Sequence, residues 1–194
     1  MELSVNRDIF LKSVGHAYGI IEKKTTLPVL SNLLIEAKNS IIKITATDLD
    51  IIYSEEIQAQ EIKKEGSTTI SAGILYDILK KIEPDSKIEL ALQNVNKLRL
   101  ITGNSKFNLL CITPDNFPLS EENINQKSFE ISSHKMLKLL NKTKISISND
   151  ETRHYLNGIY LHKTNKDNKS FLSGVATDSH RLSFSSLEVD NDSN

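Results

Sequence analysis

The sequence is poor in the features that mark several large classes of protein. Cys111 is the only cysteine, so no disulfide can form within the chain, and a reducing compartment is expected. No apolar run approaches the roughly 20 residues of a membrane-spanning helix. The residues that follow Met1 lack a basic stretch leading into an apolar core, so no secretory signal peptide is expected. A cytoplasmic protein without a membrane segment is predicted.

An excess of positive or negative charge is also lacking, because the net charge is −1. The whole molecule therefore does not attract nucleic acid, and any basic surface must be local. The seven glycines form no phosphate-binding loop, and no nucleophile elbow or metal-ligand cluster is present in the sequence. A hydrophobic content of 38% and a charged content of 25% are ordinary for a folded soluble chain. Neither a cofactor nor a metal is predicted.

What the sequence does contain is an internal repeat. Thr47-Asp48 and Thr177-Asp178 are 130 residues apart (177 minus 47). Ser31-Asn32-Leu33-Leu34-Ile35 precedes the first pair, and Tyr155-Leu156-Asn157-Gly158-Ile159 precedes the second at a similar distance. Repetition of this kind predicts one domain followed by the beginning of a second copy.

Hydrophobic periodicity divides the chain into units of one strand, one helix and three strands. The first unit is predicted as strand 3–6, helix 7–20 with Asn6 as its N-cap, and strands 33–37, 41–47 and 51–59. The second is predicted as strand 68–71, helix 72–82, and strands 88–92, 97–102 and 107–112. The third is predicted as strand 129–132, helix 133–143, and strands 155–162, 171–176 and 181–189. Two units make a domain, so the third unit is unpaired.

These units give an α+β fold with a complete domain at residues 1–118, a linker at 119–127, and half of a second domain at 128–194. The segment at 113–127 is polar and contains Pro114 and Pro118, which is typical of a linker. Half a domain is expected to expose apolar surface and unpaired strand edges.

Five strings in this order resemble the β subunit of bacterial DNA polymerase III, the sliding clamp. They are Thr26-Leu27-Pro28-Val29-Leu30-Ser31-Asn32-Leu33-Leu34, Thr47-Asp48-Leu49, Phe117-Pro118, Arg153-His154-Tyr155-Leu156-Asn157-Gly158, and Ala176-Thr177-Asp178-Ser179-His180-Arg181-Leu182. The resemblance covers the whole chain but only about the N-terminal half of a family member. It implies a DNA-clamp fold and a non-catalytic processivity factor that tethers the replicative polymerase to duplex DNA.

The resemblance also implies partners. Family members close head to tail into a homodimeric ring around duplex DNA, without reading its sequence. They bind the replicative polymerase and the clamp loader through short peptide motifs. This chain is expected to be C-terminally truncated and unable to close the ring.

DNA-binding residues are carried over from the family by position. Lys24 matches a DNA-contacting loop, and His154 and Tyr155, next to Arg153, match an aromatic pair near the duplex. Gly73 and Asp150 match weaker contacts, since a basic residue and an amide are usual at those places. From its own periodicity, the third helix places Lys135, Lys138 and Lys142 on one stripe opposite its apolar face. Further positive charge on the other helices comes from Arg7, Lys12, Lys80 and Lys81.

Two protein-binding sites are implied in the same way. One wall of the family's peptide pocket is matched by Leu156, Thr177, Ser179, His180, Arg181 and Leu182. Phe107 and Leu109 match the strand that meets the neighbouring protomer in the ring. Alternation places Phe107, Leu109 and Cys111 on one face of their strand, so a core role for Phe107 is the other interpretation.

Two other functions stay open at this point. The chain could be a non-functional or isolated fragment that folds but cannot encircle DNA. It could also be a small metal-dependent hydrolase that uses Asp48, Asp50, Asp178 and His180. The mass of the native product would test the first alternative. Bound metal and hydrolytic turnover would be expected only for the second.

Overall fold

The computed structural model describes residues 1–21, 27–119, 130–167 and 169–189. The chain divides into two compact units, unit 1 at Met1–Glu121 and unit 2 at Glu122–Asn194. Lys24 and most of the predicted linker lie outside the described residues. No helix in the described part of the chain is long and apolar enough to cross a membrane.

Unit 1 contains two helices and nine strands among its described residues. The helices are α1 (Arg7–Tyr18) and α2 (Ala72–Lys81). The strands are β1 (Glu2–Asn6), β2 (Asn32–Lys38), β3 (Ile41–Thr47), β4 (Ile52–Gln58), β5 (Glu61–Lys64), β6 (Gly66–Ser71), β7 (Lys87–Asn94), β8 (Lys97–Thr102) and β9 (Ser105–Ile112). The predicted order of one strand, one helix and three strands is confirmed in both repeats, with β5 as an additional strand between them.

The nine strands form one antiparallel sheet in the order β4-β3-β2-β6-β9-β8-β7-β1-β5. The two repeats exchange their first strands. Strand β1 of the first repeat pairs with β7 of the second, and β6 of the second repeat pairs with β2 of the first. Each repeat therefore completes the sheet of the other, which explains why two repeats are needed to make a domain.

The core of unit 1 lies between the helices and the sheet. Helix α1 buries Phe10, Val14 and Ala17 completely, at spacings of four and three residues that place them on one face. Helix α2 buries Leu75 and Leu79 in the same way. Asn6 caps α1 as predicted, since its side-chain oxygen accepts the backbone N–H of Asp8 at 2.9 Å.

The two helices of unit 1 are also joined to each other by polar and aromatic contacts. The Arg7 guanidinium donates from Nε to the carbonyl of Leu79 at 2.8 Å. Arg7 is only 9% exposed, so it does not supply the solvent-facing charge that the sequence suggested. The rings of Tyr18 and Tyr76 stack with centroids 5.1 Å apart, and Lys80 Nζ lies 5.2 Å from the Tyr76 ring centroid.

One strand of unit 1 is missed by the sequence. The predicted strand at 51–59 corresponds to β4, but no strand is predicted for β5, which lies at the opposite edge of the sheet. Strand β5 reads Glu-Ile-Lys-Lys, with only Ile62 apolar. A short edge strand that faces solvent needs little hydrophobic patterning, so its sequence resembles a loop.

Unit 2 contains one helix and one three-stranded antiparallel sheet among its described residues. They are α3 (Ser133–Thr143), β10 (Tyr160–Lys166), β11 (Lys169–Thr177) and β12 (Leu182–Val189), in the strand order β10-β11-β12. The helix packs on the face of the sheet that buries Leu172, Gly174 and Ala176. A Cβ on Gly174 would lie 2.7 Å from Leu139 Cδ2, so the helix approaches β11 closely.

Two predicted strands of unit 2 differ from the structure. Residues 155–162 were predicted as a strand, but Glu151–Leu156 forms a 3-10 helix and β10 begins only at Tyr160. The predicted strand at 129–132 is absent at residues 130–132, and residue 129 lies outside the described residues. In unit 1 the corresponding strands β1 and β6 pair with the other repeat, and the described part of unit 2 has no second repeat.

Candidate nucleic-acid and peptide interfaces

The repeated Thr-Asp motif forms a closed turn in unit 2. Asp178 Oδ1 accepts the backbone N–H groups of His180 at 3.0 Å and Arg181 at 2.9 Å, while Oδ2 accepts Arg181 Nε at 2.9 Å. Thr177 Oγ1 donates to the carbonyl of Arg181 at 2.7 Å. The N–H donors of Arg181 and His180 hold the pKa of Asp178 below its ordinary value, because they stabilise the carboxylate.

The earlier copy of the motif forms the same turn in unit 1. Asp48 Oδ1 accepts the backbone N–H groups of Asp50 at 3.0 Å and Ile51 at 2.7 Å. The third residue of each turn has a positive φ, 83° at Leu49 and 79° at Ser179. The motif therefore has a structural role: it forms the turn that ends one strand and leads into the next.

This geometry bears on the hydrolase interpretation. The Asp178 carboxylate already accepts three hydrogen bonds within its own turn, so it is not poised to exchange a proton with a substrate. Over the ranges that the structure describes, no group of three or more His, Cys, Asp or Glu side chains could hold a metal ion.

The turn presents the outer face of the unit 2 sheet, on the side away from α3. Alternation places Val175 and Thr177 on this face, and Thr177 lies opposite Leu182 in the β11–β12 pair. Val175 lies opposite both Tyr160 of β10 and Phe184 of β12. Leu182 and Phe184 are 64% and 60% exposed, so this face carries an apolar row open to solvent.

Sequence reasoning missed Tyr160, Val175 and Phe184 as members of this face. Val175 lies two residues from Thr177, Phe184 lies two residues from Leu182, and Tyr160 pairs with Val175. The signal that could have found them is the period-two alternation along β11 and β12. The sequence could not provide the cross-strand register that joins the two strands.

A cavity of about 570 Å³ lies at one end of the same face. It brings together two of the predicted pocket residues, Leu156 and Thr177, with the His154-Tyr155 pair. The stacked rings of Tyr160 and His162, with centroids 5.2 Å apart, form another part of its wall. His180, Arg181 and Leu182 do not line this cavity, although Leu182 is the cross-strand neighbour of Thr177.

Arg153 connects the predicted DNA contacts to the turn. Its Nη1 donates to Ser179 Oγ at 2.9 Å, and its Nε donates to Asp150 Oδ2 at 2.8 Å. Hydrogen bonds from Thr152, together with Arg153, lower the pKa of Asp150 to about 2. Asp150 is thus ionised at neutral pH and offsets the charge of Arg153, which leaves less attraction for phosphate than the sequence alone suggests.

The aromatic pair that follows is more accessible. His154 and Tyr155 are both exposed, Tyr155 by 72%, and their rings meet edge to face with centroids 6.0 Å apart. The 3-10 helix that carries them is anchored at its end by the Leu156 carbonyl, which accepts the backbone N–H of Ser148 at 3.1 Å. An exposed ring on an anchored backbone can stack on a nucleic-acid base.

The periodicity of α3 predicted that its three lysines point directly away from the sheet. They are exposed, but they do not point in that direction. Lys135, Lys138 and Lys142 line a groove with the buried Leu139 and with residues 185–188 of β12. They therefore flank β12, the edge strand of the sheet.

Gly73, one of the two weaker DNA-contact positions, lies at the contact between the two unit 1 helices, where an added Cβ would be 3.7 Å from Tyr18 Cε2.

The strand predicted to meet a neighbouring protomer has a free edge in unit 1. Strand β9 pairs with β8 along its length but with β6 only at Cys111 and Ile112. Leu109 is buried in the core and Phe107 packs partly against that core, as the alternation predicted. Leu110 is 85% exposed, so this residue, which the sequence did not single out, is the apolar side chain that β9 presents to solvent.

A groove of about 930 Å³ runs beside this edge, between α2 and the β8–β9 turn. Phe107, Ile78 and Ile82 contribute apolar surface to it. Ile74 is shared with a second cavity of about 830 Å³, which Leu109 and Leu110 also line. The edge of β9 thus lies between two hollows that contain exposed apolar side chains.

Comparison with known families gives two matches in order along the chain. Residues 1–121 match the DNA polymerase III beta subunit, N-terminal domain, and residues 130–194 match the central domain of the same subunit.

Known proteins and solved structures give the same result. The beta sliding clamp of Caulobacter vibrioides is 34% identical over 188 residues, covering 96% of this chain and 50% of the relative, and that of Rickettsia bellii is 36% identical with 96% and 48% covered. A sliding clamp from Bartonella birtlesii, solved with griselimycin bound, superposes with a TM-score of 0.92 at 37% identity, covering 98% of this chain and 50% of that one. The chain spans about half the length of the relatives it matches.

Proposed function

The chain belongs to the DNA polymerase III beta subunit family, and we propose that it acts as part of a DNA sliding clamp, a cytoplasmic, non-catalytic processivity factor for replication. The observation that supports this most is the ordered match of two consecutive clamp domains to a chain whose two units carry the same Thr-Asp turn. The proposed partners are duplex DNA, the replicative polymerase and the clamp loader.

DNA is proposed to bind through diffuse positive charge and one exposed aromatic pair. Lys135, Lys138 and Lys142 offer ammonium groups to phosphates, and Tyr155 with His154 offers rings to an unpaired base. A clamp must slide, so contacts to the phosphate backbone suit it better than contacts that read bases. Lys24 belongs to the same proposal by its position in the family.

Salt-dependent DNA binding tests this proposal. The affinity for duplexes of different sequence should be weak, equal among sequences and steeply reduced by salt. Lys138→Gln with Lys142→Gln should reduce the slope of log affinity against log salt by about 0.9 per lost phosphate contact. The matched control is Lys97→Gln with Lys106→Gln, two exposed lysines of the unit 1 hairpins. A slope that falls equally in both double variants, or a clear sequence preference, would contradict the proposal.

A short peptide is proposed to bind on the outer face of unit 2. Leu156, Thr177 and Leu182 supply apolar contact, and His180 and Arg181 supply a polar rim, with Ser179 holding Arg153 beside them. Tyr160, Val175 and Phe184 extend the apolar row along the face. A preformed apolar surface with a few polar groups at its margin is what a peptide anchor needs.

The repeated turn provides a matched pair of variants for this site. Asp178→Ala should loosen the turn that positions His180, Arg181 and Leu182, and should weaken the binding of a clamp-binding peptide. Asp48→Ala removes the two equivalent backbone hydrogen bonds from the unit 1 copy and should leave peptide affinity unchanged. Peptide titration by calorimetry distinguishes the two, and equal losses in both variants would exclude a binding site at this turn.

The contact with a neighbouring protomer is proposed at the free edge of β9. Strand pairing along residues 105–110, with Phe107 in the adjacent groove, would bury apolar surface that is exposed in the single chain. Leu109 is buried in the core, so it would support the strand without touching the neighbouring protomer. Leu110→Lys should weaken this contact, because it places an ammonium group on the exposed side of the strand, and sedimentation of the wild type and the variant measures the change.

A further inference from the structure

A hydrogen bond between Arg153 and Ser179 joins two segments of unit 2 that are 26 residues apart in the chain. Arg153 lies in the 3-10 helix Glu151–Leu156, and Ser179 lies in the turn between β11 and β12. The cavity of about 570 Å³ takes one wall from residues 154–160 and another from residues 175–177. The hydrogen bond therefore ties together the two segments that form the cavity walls.

Both residues of this pair depart from the ordinary backbone of their surroundings. Ser179 has a φ of 79°, in the left-handed region where glycine is favoured and serine is strained. Arg153 has a φ of −113° and a ψ of 52°, which interrupts the 3-10 helix to which it belongs. A strained residue that a fold retains points to a contact made by its side chain. For Ser179, the contact is the one in which its Oγ accepts Arg153 Nη1 at 2.9 Å.

The turn itself does not need the Ser179 hydroxyl. In unit 1 the equivalent residue is Leu49, with a φ of 83°, and Asp48 closes that turn through the same two backbone hydrogen bonds. Within the unit 2 turn, Ser179 contributes its backbone N–H, which donates to Thr177 Oγ1 at 3.2 Å. The hydroxyl of Ser179 thus serves the neighbouring segment and not the turn that carries it.

Arg153 is already oriented by its own segment before it reaches Ser179. Its Nε donates to Asp150 Oδ2 at 2.8 Å, and Asp150 Oδ1 accepts the backbone N–H of Thr152 at 3.0 Å. An exposed hydrogen bond normally contributes little, because both groups can bond to water instead. A guanidinium that is already held loses little further rotamer freedom when it makes a second bond, so this bond can keep the two segments in register.

We propose that Ser179 is a positioning residue that acts through Arg153. Their hydrogen bond fixes the 3-10 helix relative to the β11–β12 turn and so preforms the cavity for the apolar end of a peptide. The inference rests on the proposed peptide site, and it assigns to both residues the shape of that site and not a contact with the ligand. A cavity that is formed in advance binds more tightly, because binding then requires no further ordering of its walls.

Two substitutions separate the hydroxyl from the backbone. Ser179→Gly and Ser179→Ala both remove the hydroxyl, but only glycine relieves the positive φ. Ser179→Gly should raise the midpoint of the thermal unfolding of unit 2 and still weaken peptide binding by about threefold to tenfold, the effect of one lost hydrogen bond. Ser179→Ala should weaken binding to the same extent without a gain in stability. A serine with only a structural role would shift stability and affinity in the same direction.

Three further variants serve as controls. Leu49→Gly relieves the same backbone in unit 1 and should leave peptide affinity unchanged. Ser179→Asn should recover affinity, because asparagine tolerates a positive φ and its side-chain carbonyl can accept from Arg153. In an Arg153→Ala background, Ser179→Ala should have no further effect on affinity, since the bond is already absent.

Fluorescence titration of a labelled, apolar-ended clamp-binding peptide measures these affinities. Hydrogen exchange locates the effect: the amides of Arg153 and Asn157, which donate within the 3-10 helix, should exchange faster in Ser179→Ala. Equal affinities of wild type and Ser179→Ala, or additive losses in the double variant, would overturn the positioning role and leave the peptide site standing. Absence of binding to the wild type would overturn the peptide site itself and this role with it.

Discussion

Replacing Arg7 by alanine should destabilise unit 1 more than its place on a solvent-facing helix would suggest. Arg7 lies at the start of α1 and donates to the carbonyls of Leu79 at 2.8 Å and Lys80 at 3.3 Å, at the end of α2. Those carbonyls have no partner within their own helix, because the last turn of any helix leaves its carbonyls free. One buried side chain therefore closes the end of α2 and fixes α1 to it.

The magnitude follows from these contacts. A hydrogen bond that involves a charged group contributes about 1.5–3 kcal/mol, and the variant would also leave the Leu79 carbonyl unpaired. The ion pair with Asp8 is partly exposed to solvent, and pairs of that kind add little. We therefore expect Arg7→Ala to lower the free energy of unfolding by about 2–4 kcal/mol. Arg7→Lys should recover only part of this, because an ammonium group cannot reproduce the two-pronged contact.

Urea unfolding followed by circular dichroism measures the effect. With a denaturant slope near 2 kcal/mol/M, the midpoint of the unit 1 transition should fall by about 1–2 M. The matched control is Lys12→Ala, an exposed cation on the same helix, for which a change within about 0.5 kcal/mol is expected. Equal midpoints for Arg7→Ala and Lys12→Ala would refute the reasoning.

The pH dependence provides a second check. The Arg7 side chain and the backbone N–H of Asp85 lower the pKa of Asp8. A lowered pKa contributes stability above the ordinary carboxylate pKa of about 4, and this contribution is lost as pH falls through the folded value. Removing Arg7 removes the largest cause of the lowered pKa. The gap between wild type and Arg7→Ala should therefore be larger at neutral pH than at pH below the Asp8 titration.

Three further predictions concern other parts of the chain. Leu49→Gly should stabilise unit 1 by about 0.5–1 kcal/mol in thermal unfolding, because the φ of 83° suits glycine, whereas Leu49→Ala should bring no gain. Burial and the hydrogen bond to Glu55 raise the pKa of Tyr53 to about 12, so an ultraviolet titration should show a late tyrosine that Tyr53→Phe abolishes, and stability should fall as pH rises from 10 towards 12. Limited proteolysis should leave residues 1–118 intact while cutting first in 113–127 or beyond 143, and early cleavage inside 27–60 would show that unit 1 does not fold as proposed.

Much of the secondary structure followed from local patterns. The three helices and most strands lie where the spacing of apolar residues placed them, since a side chain that must be buried repeats every three or four residues in a helix and every two in a strand. Two of the misses concern strands whose formation depends on their neighbours. Strand β5 is polar because it lies at a sheet edge, and residues 130–132 have no strand beside them in the part of the chain that the structure describes.

The candidate sites could be predicted as residues but not as surfaces. The family resemblance selected Thr177, Leu182 and Leu156, and the structure places the first two side by side on one face. The family resemblance could not show that Phe184 and Tyr160 continue that face, because cross-strand register depends on how the turns close. It also could not show that Asp150 and Ser179 hold Arg153.

The sequence by itself determined that this protein is a repeat of one small unit and belongs with the sliding clamps. The order of the short sequence motifs indicates the family, and the hydrophobic periodicity of each segment indicates the repeat. Only the tertiary structure decided that the repeats exchange their first strands, that Arg7 is buried at a helix end, and that the lysines of α3 lie beside β12. These are contacts between residues distant in the chain. They depend on which surfaces meet, and a local pattern fixes only which surfaces each element offers.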